Sequence, residues 1–401
     1  MASSSAAELR LCAELSGHEG EVRALVPSHD GAGLLSGAMD RLVRVWAPVD
    51  PTTYVETAVV FEHEHWVTAL ASIPAGACPP CPAGGFVTGC LDKRIRVYSH
   101  TNELLRVLEG HEGGVISLAV DVASGRLVSG SWDGTARVWS LQTLECSGVL
   151  AGHENGVTVL PLPNGDIITG STGRQVGDTQ IAGFKIRVWR QGAVVREVTD
   201  HTAAVRGFAM VGDVGFVSVG NDGKVVLRSM DGSPLQTMQS PLTAEGRPPF
   251  LLSVAALPNG AIASGGDDCV LRLWKDGACV QEIAHPSTIW AVAALPDGSL
   301  ATACGDRRVR VFSADPARAA PAEVQASFEA AIRAAAQGPS EVDTSALPLW
   351  EERASVTAKG DGAIQLFNRD GKAWAARWDL GAGGWLEIGE VTGTSGGGGG
   401  G

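Results

Sequence analysis

The sequence predicts an all-β fold, a seven-bladed β-propeller, followed by one helix and a partial small β-containing domain. Two recurring features and their spacing predict it. The first is the phrase LVSGSWDGTARVW at Leu127 to Trp139: an apolar run, a Ser, a turn carrying Asp133, then alternating residues ending in Trp. It reads as two antiparallel strands joined by a tight Asp-Gly turn. Versions return at Leu34 to Trp46, Phe86 to Tyr98, Phe216 to Arg228, Ile262 to Trp274 and Leu300 to Phe312, and a stretched copy runs from Ile167 to Trp189. The second feature precedes the phrase, a His followed four residues on by Val or Ile: His18 and Val22, His63 and Val67, His111 and Val115, His153 and Val157, His201 and Val205, His285 and Ile289. The interval is in the low-to-middle forties, the size of one four-stranded blade. A blade cannot bury both faces alone, so blades stack in a ring. One interval is doubled. It holds the unit near Leu251, where Arg247 stands in place of the His.

Taken in order, Leu9 to Leu15 precede the first His and read as a strand, while the last unit supplies only three. An open sheet edge invites aggregation, so residues 9–15 are expected to close the last blade of a propeller spanning 1–314. Three blades depart from the pattern. Blade four has Gly183 where Asp is expected and carries the insertion STGRQVGDTQIAG; blade five has Arg228 for Trp; blade six lacks the His. Each should lose part of any shared polar network and be less rigid. Residues 315–343 read as a linker and an amphipathic helix over Glu323 to Gln337, with Val324, Phe328, Ile332 and Ala335 at helical spacing between Pro321 and Gly338. Residues 344–395 turn β-like and carry Trp374, Trp378 and Trp385, in a segment too short to form a well-buried core alone. A glycine tail, 396–401, ends the chain and is read as a flexible tail or the point where a longer product was cut.

Composition narrows the function. The formal charge is −13, from 31 Lys and Arg against 44 Asp and Glu, which disfavours nucleic acid and anionic membrane and suits a basic protein partner. The first residues lack the basic start and apolar core of a signal peptide, and no apolar run is long enough for a bilayer. A soluble intracellular protein, monomeric, is expected. Of eight Cys, only Cys78 and Cys81 form a C-x-x-C, in the Pro-rich AGACPPCPAGG. With no second pair they read as a floppy loop rather than a zinc or redox site. The other Cys read as buried thiols.

The repeated polar residues admit two readings. His18/Ser36/Asp40, His63/Thr88/Asp92, His111/Ser129/Asp133, His201/Ser218/Asp222 and His285/Thr302/Asp306 each have the composition of a hydrolase triad. A catalytic site occurs once, however, whereas this set recurs inside a structural repeat. It therefore reads as an internal hydrogen-bond network, with His153, Thr169, Ser264 and Asp268 as its members in the incomplete blades; in WD-repeat proteins, which these units resemble, such a network reaches the strand Trp, here Trp46, Trp139, Trp189 and Trp274. No nucleophile elbow, P-loop or metal cluster is present. No enzyme activity, cofactor or metal is expected.

The period, the G-H starts and the W-D endings are those of WD repeats. More specifically, LLSGAMDRLVRVW, LVSGSWDGTARVW, HPSTIWAVAALPDG, EVQASFEAAI and WDLGAGGWLEIGEVTG resemble the phospholipase A-2-activating and yeast ubiquitin-homeostasis family over almost the whole chain. The resemblance implies a propeller, then the start of the family's ubiquitin-binding domain. A C-terminal helical domain that binds an AAA ATPase segregase would follow only in a longer chain. It further implies ubiquitin binding on the propeller's top face, ubiquitin recycling, proteasome-mediated turnover and a cytoplasmic and nuclear location. Inner-strand starts and the turns before each Asp emerge on that face in such propellers. Met39, Trp66, Leu91, Trp132, Phe250, Asp267 and Trp290 are therefore the expected landing site. The alternative is a generic WD-repeat interaction scaffold, which would have no reason to carry the late tryptophan segment.

Overall fold

The computed structural model describes residues 8–176, 180–337, 347–356, 364–370, 372–379 and 384–390. Two units are present, dividing after Ser327. The first contains seven four-stranded antiparallel sheets. Their innermost strands are Val22–Pro27, Val67–Ile73, Val115–Asp121, Val157–Pro161, Val205–Val211, Leu251–Ala256 and Ile289–Ala294. Each contacts the inner strands of both neighbouring blades, blade seven against blade one included, so the ring is closed.

Why these residues make blades follows from how two neighbours meet. The second strand of each blade is buried along all or nearly all of its length, as in Leu34–Ala38 and Ile262–Gly266, because another blade covers each face. Where the phrase reads Ser-Gly, the glycine receives the marker residue of the next blade. A Cβ on Gly37 would lie 2.5 Å from Val67 Cγ1, and one on Gly265 would lie 2.5 Å from Ile289 Cγ2. The two recurring features are thus the two halves of one blade-to-blade contact. Outer strands such as Leu104–Leu108 are largely exposed.

The seventh sheet takes its outer strand from the start of the chain. Arg10–Ser16 pairs with Arg308–Ser313, Leu11 opposite Phe312 and Leu15 opposite Val309. Leu9 is held against blade six by a reciprocal pair, its N–H donating to Gln281 Oε1 at 2.9 Å and its carbonyl accepting from Gln281 Nε2 at 2.8 Å. Glu14 meets the buried Arg310 at 2.8 Å.

Two blades carry the complete network. In blade one His18 joins Asp40 (2.8 Å) and Ser36 (2.8 Å), and Trp46 Nε1 donates to Ser36 (2.8 Å). In blade three His111 joins Asp133 (2.7 Å) and Ser129 (2.7 Å), and Trp139 Nε1 donates to Ser129 (2.8 Å). Blades two and seven are rewired. His63 reaches Thr88 and His285 reaches Thr302, but Asp92 is taken by Arg96 and Asp306 by Arg310. Blade four keeps the His153–Thr169–Trp189 half. Blade six keeps Trp274 on Ser264 and pairs Asp268 with Arg272. Arg247, in the His position, instead meets Asp267 at the surface.

Blade five corrects the expectation of a weakened network. His201 binds Asp222 and Ser218, and Arg228 Nε donates to Ser218 at 2.9 Å, where a Trp would. The remaining Arg228 nitrogens clasp Asp200 at 2.7 and 2.9 Å. Asp200 stands directly before the His, where blades one, three and four have glycine. Burial works against the Asp200 charge, but Arg228 outweighs it and holds the carboxyl below its usual range. Arg228 is fully buried, so Arg228→Ala should cost about 2–3 kcal/mol through the cavity it leaves and the bonds it loses, although Ser218 keeps His201 and Asp200 keeps water. The double change Asp200→Gly with Arg228→Trp, which copies blade three, should lie within about 1 kcal/mol of the parent, because both partners go together. Urea unfolding of the single, double and parent proteins checks both expectations.

Two further expectations need correction. The Pro-rich segment is packed rather than floppy: Cys78 and Cys81 are buried against Leu141 and Leu144, and Cys78 Sγ donates to the Leu141 carbonyl. Burial, then the neighbouring Cys78, pushes the Cys81 thiol up to about 12. Of the other Cys, Cys146 and Cys279 are exposed on outer strands. The blade-four insertion contains a hairpin, Arg174–Val176 against Gln180–Ala182.

The last ring strand ends at Ser313, and the helix spans Ala322–Ala336. Just before it, the Ala320 N–H donates to the Leu11 carbonyl. In the second unit, Ile364–Arg369, Lys372–Asp379 and Gly384–Glu390 form a three-stranded antiparallel sheet. Contrary to the expectation of no buried core, Trp350, Phe367, Ala376 and Trp385 pack into one, with Phe367 fully buried. Trp374 packs against it; the Trp378 side chain and the glycine tail lie outside the described residues.

Candidate protein-binding face

One end of the ring, its top, is formed by the loops that enter each inner strand and by the turns before each Asp. A local irregularity shapes it. In six blades the pairing of the inner strand slips by one residue immediately after the marker, leaving Arg23, Thr68, Ile116, Arg206, Leu252 and Trp290 as the extra residues. A bulge re-aims its extra side chain, and all six line a single cavity of about 230 Å³ at the mouth of the central channel. In blade four, Thr158 occupies the same position without a bulge and lines it too.

Around these stand four of the expected landing residues, Trp66, Leu91, Trp132 and Trp290. Trp132 is 41% exposed and Phe250 39%; the other five are partly covered. Trp132 is held in place between blades: a Cβ on Gly156 would lie 2.6 Å from its ring, and one on Gly114 would lie 2.5 Å from Leu91. The Arg23 guanidinium lies 3.4 Å from the Trp290 ring centre and 5.7 Å from that of Trp66, a cation–π clamp between the two indoles. Met39 meets the cavity only through Arg23, whose Nη2 is 3.3 Å from its sulfur. Phe250 and Asp267 are outside the cavity lining. Asp267 is engaged by Arg247 (2.8 Å) and the Phe250 N–H (2.7 Å), and Arg247 covers the Phe250 ring at 4.6 Å.

The residues that sequence reasoning missed are the bulged ones other than Trp290, above all Arg23 and Arg206. Their signal is positional: each directly follows the marker Val, five residues after the His. Among the described residues no cluster of three or more His, Cys, Asp or Glu could hold a metal ion.

The comparisons agree with this architecture. The model for the WD domain, G-beta repeat, matches residues 9–47, 55–99, 102–140, 236–275 and 277–313. The unmatched stretch between 140 and 236 holds the blade-four insertion and the Arg228 substitution. The ring and its repeated polar networks are those of a WD-repeat protein, and the chain is one. Within that class it resembles the ubiquitin-homeostasis and phospholipase A-2-activating proteins. It is 31% identical over 388 residues to ubiquitin homeostasis protein lub1 of Schizosaccharomyces pombe, covering 95% of this chain and 50% of that one. It is 35% identical over 152 residues to phospholipase A-2-activating protein of Xenopus laevis, covering 37% and 18%. The chain thus spans half the length, or less, of these curated relatives. The crystal structure of the WD40 propeller domain of Doa1 superimposes with a TM-score of 0.66 at 28% identity, covering 78% of this chain and 99% of that one.

Proposed function

We propose that the chain is a non-catalytic ubiquitin-binding adaptor, serving ubiquitin recycling and proteasome-mediated turnover in cytoplasm and nucleus. The observation that carries this reading is the rim of Trp66, Leu91, Trp132 and Trp290 around one mouth on the top face. Large aromatic side chains grouped at the centre of a rigid face are what a small protein with an apolar recognition patch needs, and ubiquitin is such a partner. Similarity to a protein named for ubiquitin homeostasis along 95% of the chain directs the choice of partner. The second unit, with its buried tryptophans, falls within this reading as a further ubiquitin contact. Segregase binding is tied by the resemblance to a domain beyond these residues, and we assign it to none of them.

The test is a titration of isotopically labelled ubiquitin with the whole chain, followed by chemical shifts. Trp132→Ala and Trp290→Ala should each weaken binding by about tenfold or more, with melting temperatures recorded to confirm that the ring persists. Parent-like affinity in both folded variants would remove the rim from the interface.

A further inference from the structure

The mouth carries one arginine, Arg206, that no carboxylate among the described residues neutralises. Its lining contains two arginines and no Asp or Glu, in a chain of net charge −13. The two differ in kind. Arg23 has a carboxylate, Glu21 at 2.9 Å, in addition to its indoles. Arg206 has none among the described residues: its one hydrogen bond runs from Nε to Asn221 Oδ1 at 2.9 Å, leaving four N–H donors without a protein acceptor. Burial alone, with no compensating charge, lowers its affinity for the proton. A half-buried guanidinium with no carboxylate beside it has donors free to meet a ligand's carboxylate at the mouth. The bulge after Val205 places Arg206 in the channel mouth rather than in the sheet pairing. The flanking surface is apolar and aromatic, including Ile116, Leu252 and Trp132.

We propose that the channel mouth is a carboxylate-binding site. Arg206 takes the carboxylate of an acidic side chain or a chain terminus presented by an extended peptide segment, and the neighbouring apolar residues of that segment rest on Trp66 and Trp132. The planar fork of the guanidinium matches a carboxylate with two parallel hydrogen bonds. The cavity, at about 230 Å³, is the size of one or two side chains rather than of a folded domain. The site therefore reads a single projecting residue, and it stands whether or not ubiquitin is the protein that lands on the rim.

The experiment titrates the whole chain with three short peptides, using the fluorescence of its tryptophans and, independently, calorimetry. The first has a central glutamate and blocked ends. The second has glutamine in its place. The third is the glutamine peptide with a free terminal carboxylate. Saturable binding of the first or third, at least about tenfold tighter than the second, is expected; which of the two binds identifies the source of the carboxylate. Arg206→Met should abolish that preference while leaving the melting temperature close to the parent's, because the half-buried side chain gives up one hydrogen bond, to Asn221. Equal binding of all three peptides, no saturation at millimolar concentration, or a preference that survives Arg206→Met would overturn the proposal. So would a lower melting temperature in Arg206→Met, which would make Arg206 a structural strut. Ubiquitin affinity of the parent keeps the two readings apart: a carboxylate preference that Arg206→Met abolishes, in a chain that binds no ubiquitin, removes the ubiquitin reading and leaves this one standing.

Discussion

Removing residues 1–16 is expected to destabilise the ring by about 5 kcal/mol and to make it self-associate. The strand Arg10–Ser16, with Leu9 before it, buries Leu9, Leu11, Cys12, Ala13 and Leu15. Three leucines at about 1.5–3 kcal/mol each give the larger part of that figure. Ordering the strand costs backbone entropy that offsets some of it. Newly exposed surface on Val309, Val311 and Phe312, and an Arg310 deprived of Glu14, add to it. The freed edge of Arg308–Ser313 would also present unpaired N–H and C=O groups to other molecules. Urea unfolding and sedimentation of the truncated chain are the checks. An unchanged midpoint in a protein that sediments like the parent would show that the ring does not depend on this strand.

Acid should unfold the protein well before its carboxylates titrate. Burial is the leading cause that lowers His63, His153 and His285 to about 4 from an ordinary 6.5. Each also faces a cation, Arg96 for His63, Arg187 and Lys185 for His153, and Arg310 for His285. The carboxylates Asp92, Glu197 and Asp306 oppose this without prevailing. A folded value below the unfolded one means that the unfolded chain binds more protons as pH falls. The stability due to neutral His is therefore complete above pH 6.5 and is lost as pH descends toward 4. At 1.36 kcal/mol per unit, each His contributes about 3 kcal/mol to this loss. Asp133 lies outside that window: burial opposes its charge, but bonds from Thr135 and His111 hold it at about 2. Unfolding free energies between pH 7 and 4 should fall steeply, and His153→Gln should flatten the profile without abolishing it, since His63, His285 and His111, the last also lowered chiefly by burial, remain. A flat profile would mean that these imidazoles are charged in the folded ring.

Much of this architecture was readable in the chain, for a physical reason. A blade boundary needs a small residue facing a branched one, and Gly37 with Val67 or Gly265 with Ile289 state both halves in sequence. Closure by Leu9 to Leu15 was readable because a three-stranded last blade leaves one edge to fill. What escaped were arrangements that depend on a partner far along the chain. Arg228 looks like a lost Trp until Asp200 is seen beside it, and Cys78 looks loose until Leu141 is seen against it. For the site, Trp66, Leu91 and Trp132 were visible as apolar residues in polar loops and turns, and Trp290 as a large aromatic at the start of an inner strand. Arg23 and Arg206 were hidden because an alternating strand assigns the residue after the marker to the sheet. A bulge, which has no signature in composition, turns it into the channel instead.

The strand that closes the ring also sets a timetable. Glu14 and Arg310 are 296 residues apart in sequence, so the segment synthesised first meets its partner only when nearly the whole propeller has been made. At roughly 5–20 residues per second, that wait lasts from about 15 seconds to a minute. Throughout it an apolar segment, RLCAELS, stays unpaired beside a growing stack of blades. Contacts between such distant parts of a chain slow folding, and this one cannot be brought forward by stabilising any single blade. An unpaired strand invites pairing with other molecules, so the interval before the last blade arrives is when this chain is most open to it.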